Sequence, residues 1–231
     1  MHLYKKHTQK TYSIISDLYT SDFEKDYGNF HFIDQFLKLI KLHKLELYPL
    51  VDLGTGPGTA INYILNKQHN LSSISGVDFE KKFCDYLKNK YKTFNRIKII
   101  HEDMVDFTSK QKKNSVGSYI ACYSIIHLPD HEIDELFMFI QRSLVKKGLF
   151  IFSCFRGTKK ELEQERYQVI RDLRLHHDEP LMTFMNYFTE TELKKRLYNI
   201  GFEIIKIEVV NPSSRVEDIP KKQIWVIVEK I

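Results

Sequence analysis

Two periods of apolar residues alternate along this chain. Short runs dominated by apolar and β-branched residues, at 49–53, 73–79, 96–100, 116–124 and 149–155, read as buried strands. Stretches of helical period stand between them. Residues 59–67 place Ile61, Ile64 and Leu65 on one side, 80–91 follows the second strand, and 130–146 aligns Ile133, Leu136, Phe137, Ile140 and Leu144 behind Asp130 as a cap. Ahead of the first strand, 29–47 repeats Phe32, Ile33, Phe36, Leu37, Ile40 and Leu45, and Pro49 closes it. The leading 28 residues are polar and rich in tyrosine, with 13–18 suited to a short helix. Beyond the fifth strand, 159–175 reads as a charged helix. A further helix opens on the capping-box pair Thr189 and Glu192 and stops at Gly201. The β-rich runs 202–210 and 223–229 are joined by a loop too short for a crossover helix, which predicts an antiparallel pair. The alternation therefore predicts a doubly wound α/β fold with a mostly parallel seven-stranded sheet and an antiparallel last strand.

Candidate chemistry gathers where the first strand meets its helix, in Val51-Asp52-Leu53-Gly54-Thr55-Gly56-Pro57-Gly58-Thr59. Glycines there let the backbone take positive φ and admit a ligand close to the main chain, and the helix start presents free N–H groups. A dinucleotide loop spaces its glycines as G-x-G-x-x-G. Here Thr59 occupies the last of those positions. Asp52, two residues before the first glycine, would repel a pyrophosphate but accept hydrogen bonds from an ammonium group. The pattern favours an amino-acid-bearing nucleoside over NAD. Asp78, about 20 residues further on, stands where a carboxylate binds ribose hydroxyls; the plainer alternative is a cap on the helix at 80–91. Phe79 beside it would pack on a base. His127 follows the fourth strand, beyond the carboxyl ends where open parallel sheets hold ligands, and is the candidate general base. A structural histidine is the alternative.

The stretch Asp52-Leu53-Gly54-Thr55-Gly56-Pro57-Gly58 resembles the first motif of the class I S-adenosylmethionine-dependent methyltransferases. The resemblance extends over about residues 30–230 and includes Phe188-Thr189-Glu190-Thr191-Glu192-Leu193 with Gly201-Phe202-Glu203 downstream. Lys147-Gly148 keeps only part of the family's usual turn after the helix. It implies S-adenosyl-L-methionine as cofactor, with Asp52 orienting the methionine ammonium and Gly54, Thr55, Gly56 and Gly58 admitting the ligand. Asp78 and Phe79 would hold the ribose and adenine, Asp103 and Met104 the adenine amino group and ring, and Tyr123 would complete the contact. The alternative for Asp103 is a helix cap before 105–107. An N-terminal tyrosine, Tyr19 or Tyr27, would cover the cofactor as a lid; the alternative is a lead-in segment that packs its tyrosines onto the domain. Motifs of exocyclic-amine methylation are absent from the segment after the fourth strand, and Cys122 lacks the proline partner of a pyrimidine-methylating nucleophile.

Composition narrows the picture. A chain of 231 residues with 42% hydrophobic and 28% charged positions suits one domain. Its parts would be an N-terminal lid and helix (1–48), a cofactor-binding core (49–155), a substrate-facing insertion (156–188) and a C-terminal helix and hairpin (189–231). The net charge of +5 comes from dispersed lysines, short of a nucleic-acid footprint. Three widely spaced cysteines form neither a disulfide framework nor a zinc motif. Neither a membrane-length apolar run nor an apolar leader at 1–10 is present, so a cytoplasmic location without membrane partners is expected. The cluster His176, His177, Asp178 and Glu179 is adjacent in sequence and so poorly arranged for a metal; none is expected. The reading is methyl transfer to an O, N or C nucleophile of a small-molecule acceptor. The alternatives are an RNA or protein methyltransferase, a non-catalytic cofactor-binding scaffold and, more remotely, a dinucleotide oxidoreductase.

Overall fold

The computed structural model describes residues 3–67, 70–157, 167–170, 180–212 and 222–231. Its sheet has the order β3-β2-β1-β4-β5-β10-β9, where β1 is Leu50–Leu53, β2 Ile74–Asp78, β3 Ile97–His101, β4 Val116–Cys122, β5 Leu144–Arg156, β9 Phe202–Val210 and β10 Gln223–Lys230. The pairs β1–β2, β1–β4, β2–β3 and β4–β5 are parallel, whereas β10 runs antiparallel to both neighbours. The expected mixed sheet is thus present, with β8 (Tyr187–Phe188) added beside the end of β5. Strand residues alternate between two cores. Tyr119, Ala121, Phe150 and Phe152 face helices α5 (Met104–Ser109), α6 (Asp130–Ser143) and α7 (Glu190–Ile200). Ile120, Leu149, Ile151 and Trp225 face α2 (His31–Leu42), α3 (Thr59–Asn66) and α4 (Lys81–Lys90). Burial on both faces explains why the central strands β1, β4, β5 and β10 read as nearly continuous apolar runs, whereas the edge strands β3 and β9 are only partly buried.

Several expectations need correction. The N-terminal helix α1 spans Leu3–Phe23, far beyond the expected 13–18. Its buried residues are Thr8, Thr11, Ile15 and Ser16, so helical spacing is present but carried by small polar side chains, and no apolar stripe announces it. The amphipathic helix of 29–47 stops at Leu42, where Lys44 turns left-handed (φ 56°) into a short helical turn, Leu45–Leu47. Asp130 is the first residue of α6 rather than its cap; Pro129 holds the cap position, and the Asp130 carboxylate instead accepts from Asn186 and Arg196. That helix ends at Ser143, not 146. Lys147, not Gly148, takes the left-handed turn (φ 60°); glycine at 148 answers a steric need instead, since a Cβ there would stand 2.8 Å from the Val145 carbonyl oxygen. Finally, Tyr167–Ile170 is a strand, β6, paired antiparallel with β7 (Leu181–Phe184), where part of a charged helix was expected. The rest of that helix, and His176, His177, Asp178 and Glu179, lie outside the described residues. None of the described helices is long and apolar enough to cross a membrane.

Candidate functional site

The loop after β1 is hooked onto β2. The Gly54 and Thr55 amides both donate to the Val77 carbonyl, at 2.8 and 3.0 Å. Gly54 turns left-handed (φ +66°) directly under Ser124: a Cβ there would lie 2.3 Å from the Ser124 Cβ. The Ser124 hydroxyl in turn donates to the Leu53 carbonyl at 2.7 Å, stitching the ends of β1 and β4 together. Gly56 is also left-handed (φ +50°), but a Cβ on it would meet nothing within 4 Å. Its outer face is open to a cleft of about 710 Å³, the open mouth included, above the carboxyl ends of the strands.

Two buried carboxylates flank this loop. The Asp52 carboxylate accepts from the Thr55 hydroxyl at 2.7 Å, and burial, opposed by that bond and reinforced by the Asp78 charge, raises its pKa to about 7. Asp78, at the end of β2, accepts from the Gly56 amide with one oxygen and from the Glu80 amide with the other, each at 2.8 Å. Burial raises it to about 6 against the pull of those two amides. The cap of α4 is Glu80, whose side chain accepts from the Lys82 amide, so Asp78 remains aimed at the cleft. A carboxylate has about four lone-pair sites, so two backbone bonds leave room for two hydroxyls.

Asp103 does cap a helix, accepting from the Val105 and Asp106 amides with Oδ1. Its Oδ2 is paired at 2.9 Å with Lys5 from α1, a residue without any signal in the sequence. The Lys5 ammonium also lies 2.9 Å from Glu132 of α6, and the Tyr4 hydroxyl donates to the other oxygen of that glutamate.

His127 is engaged on both ring nitrogens. Nδ1 sits 2.7 Å from the Phe184 carbonyl, an acceptor only, so Nδ1 carries the proton and Nε2 accepts from the Tyr12 hydroxyl at 2.9 Å. Burial lowers the His127 pKa to about 4, the Phe184 bond opposing, and the ring is neutral at physiological pH. Cys122 also lines the cleft, with burial pushing its thiol well above the usual range. Tyr123 adopts φ +53°, a strained left-handed conformation for a bulky residue. Its hydroxyl donates to Gln223 at 2.5 Å, and its amide bonds Ser153.

Of the residues singled out in the sequence, Gly54, Gly56, Asp78, Phe79, Asp103, Met104, Tyr123, His127 and Tyr19 line the cleft together. Asp52, Thr55, Gly58 and Tyr27 do not: Asp52 and Thr55 bond each other, Gly58 backs onto Leu87, and Tyr27 packs on Phe30 and Tyr63. Sequence reasoning missed Lys5, Thr8, Tyr12 and Phe83, which also line it. The positions 8, 12 and 19 share one helical face, the signal that would have found them had polar residues been counted. Among the described residues, no three His, Cys, Asp or Glu side chains gather as metal ligands.

Comparison with known proteins agrees with this geometry. Residues 50–148 match the family described as a methyltransferase domain. No curated protein matches the chain by sequence. Among solved structures, it is similar to an S-adenosylmethionine-dependent methyltransferase from Methanosarcina mazei, at 17% identity and a TM-score of 0.64, covering 83% of this chain and 97% of that one. The complex of DhpI with S-adenosylhomocysteine aligns over 99% of this chain and 97% of its own, at 11% identity and a TM-score of 0.66. Magnesium protoporphyrin IX methyltransferase from Synechocystis, solved with bound S-adenosylmethionine, aligns at 14% identity and a TM-score of 0.57, covering 87% and 79%. At these identities the solved structures establish the fold.

Proposed function

We propose, from the premise that this chain carries a class I S-adenosylmethionine-dependent methyltransferase domain, that it transfers the cofactor's methyl group to an O, N or C nucleophile of a small molecule. The observation that carries the reading is the cradle of Gly56 and Asp78. An open left-handed backbone faces a buried carboxylate whose two oxygens are already oriented by amides. The residues fit the cofactor: Asp78 for the ribose hydroxyls, Phe79 and Met104 for the adenine faces, Asp103 for its amino group. Asp52 acts on the methionine end only through Thr55 and the loop.

The cofactor supplies a methyl group on a sulfonium, an already activated leaving group. The chain's part is alignment and exclusion of water. Tyr12, Tyr19, Phe83 and Leu128 form apolar walls, and α1 with β7 roofs the cleft through the Thr11 hydroxyl to the Met182 carbonyl and the Phe184 amide to the Thr8 hydroxyl. Neutral His127, with both ring nitrogens engaged, orients the Tyr12 hydroxyl in the cleft wall rather than acting as a base. A roofed cleft suits a small acceptor better than a polynucleotide or a protein. The Synechocystis neighbour, named for a porphyrin substrate, is in keeping with that choice. We assign the division into lid (1–48), core (49–155), insertion (156–188) and C-terminal unit (189–231) on the same grounds. Three free cysteines suit the reducing cytoplasm.

Calorimetric titration with S-adenosylhomocysteine tests the reading, with Asp78→Ala and NADH as controls. Binding lost in Asp78→Ala, and no response to NADH, is the expected result. A folded wild-type protein that binds no S-adenosylhomocysteine refutes it.

A further inference from the structure

We infer that Lys5 is a positioning residue for the cofactor: by bridging Asp103 and Glu132 it latches α1 across the adenosine end of the cleft and slows release of a bound nucleoside. The inference rests on the reading of the cleft as an S-adenosylmethionine site. Lys5 Nζ lies 2.9 Å from Asp103 Oδ2 and 2.9 Å from Glu132 Oε2, with the three side chains only 18%, 20% and 7% exposed. The three groups stand on different elements. Asp103 begins α5 and Glu132 belongs to α6, both packed in the main core, whereas Lys5 belongs to the helix that roofs the site. Burial opposes the ammonium charge, but bonds to two carboxylates outweigh it and raise the Lys5 pKa, so the bridge stays charged. Charge-assisted bonds in a half-buried setting are the strong kind.

The arrangement couples the roof to the ligand. Asp103 Oδ1 is committed to the α5 amides and Oδ2 to Lys5, so the carboxylate that would accept the adenine amino group is held from both sides. An amino group is a neutral donor and adds to a lone pair of that carboxylate without displacing the ammonium. Two carboxylates facing one ammonium leave a net negative charge, which a further donor relieves. Further along α1, Gln9 donates to the Phe79 carbonyl at 3.1 Å and the Ser13 carbonyl accepts from Lys82 at 2.6 Å. Both lie on the Phe79 side of the cleft, so Lys5 and its neighbour Tyr4, itself bonded to Glu132, hold the Asp103 side.

The test is stopped-flow measurement of S-adenosylhomocysteine association and dissociation on the wild-type chain, Lys5→Met, Lys5→Arg and Glu132→Gln, each with its melting temperature. Lys5→Met is expected to speed dissociation about tenfold, equivalent to about 1.4 kcal/mol, with association little changed. Glu132→Gln, which leaves the Asp103 carboxylate and an acceptor for Tyr4 in place, is expected to move the same rate in the same direction. Lys5→Arg should restore most of it. Wild-type binding with unchanged dissociation in both Lys5→Met and Glu132→Gln, whatever their melting temperatures, overturns this inference alone. Failure of the wild-type protein to bind overturns the cofactor reading and this inference with it.

Discussion

Two glycines two residues apart separate folding from binding at this site. Alanine at Gly56 keeps the amide that holds Asp78, and its methyl group meets no protein atom within 4 Å. Its cost to folding is the left-handed conformation alone, about 1–2 kcal/mol, which lowers the melting temperature of a chain this size by about 2–4 °C per kcal/mol. That same methyl would project into the cleft where a ligand must approach the backbone, so S-adenosylhomocysteine affinity should fall by about tenfold or more. Alanine at Gly54 (φ +66°) carries the same strain and a collision as well, with the Ser124 Cβ at 2.3 Å and the Met104 terminal carbon at 3.2 Å. Moving Ser124 also endangers its bond to Leu53, a further loss of about 1 kcal/mol. Gly54→Ala should therefore cost about 3 kcal/mol or more in stability. Denaturant melts give the first quantity and calorimetric titration the second. A Gly56→Ala protein that folds and binds S-adenosylhomocysteine indistinguishably from wild type would refute the assignment of the cleft floor.

Four further outcomes follow from the buried groups. Asp52 and Asp78 titrate near 7 and 6 in the fold but near 4 when unfolded, so between those limits the folded state binds more protons and their contribution to stability falls as pH rises. Asp52→Asn, which retains an acceptor for Thr55, should be more stable than wild type at pH 8 and flatten that part of a denaturation-versus-pH series. Ribose hydroxyls favour the charged form of Asp78, so S-adenosylhomocysteine affinity should weaken below about pH 6, and Asp78→Asn should show no such limb. His127 behaves oppositely: its folded pKa near 4 lies below the unfolded value of about 6.5, so stability is lost as pH falls from 6.5 towards 4. His127→Gln should lessen that acid-side loss, and methyl-transfer rates should show no inflection from this ring between about pH 5.5 and 7.5. Burial raises the thiols of Cys84, Cys122 and Cys154, so iodoacetamide at pH 8 should label none of them until denaturant unfolds the chain, as mass spectrometry would show.

The cradle was legible in the sequence because its requirements are local. Backbone that must turn left-handed beside a strand end leaves glycines at fixed spacing, and an acid that must end the next strand appears about one βαβ step later. The centre of the sheet was legible because burial on both faces writes whole apolar runs, and the half-exposed edges β3 and β9 because β-branched residues dominate them. Helix α1 was not, since its buried residues are mostly small and polar, and Tyr4, Thr8, Thr11 and Tyr12 find their hydrogen-bond partners more than 100 residues away. Hydrophobic periodicity cannot register a polar seam. For the same reason the role of His127 stayed open: what fixes its tautomer is a backbone carbonyl at Phe184, and carbonyls leave no trace in residue identity. Asp103 caps α5 with one oxygen while its other oxygen, beside the cleft, pairs with Lys5, so the cap does not use up the carboxylate.

The bonds that seat the roof have a consequence for how such a chain can change over generations. Thr11 reaches the Met182 carbonyl, the Phe184 amide reaches Thr8, and His127 reaches the Phe184 carbonyl, so every one of these ties on β7 is made to main chain. Main-chain groups are the same whatever residue bears them. Met182 can therefore be exchanged without unfastening the roof; Phe184 is less free, because its ring packs on Tyr4 of α1, and Thr8, Thr11 and His127 supply the side-chain half of each tie. The lining of the cleft comes instead from α1 and from positions between 54 and 128, so a lineage needing a different occupant would have to change those and could leave β7 to drift.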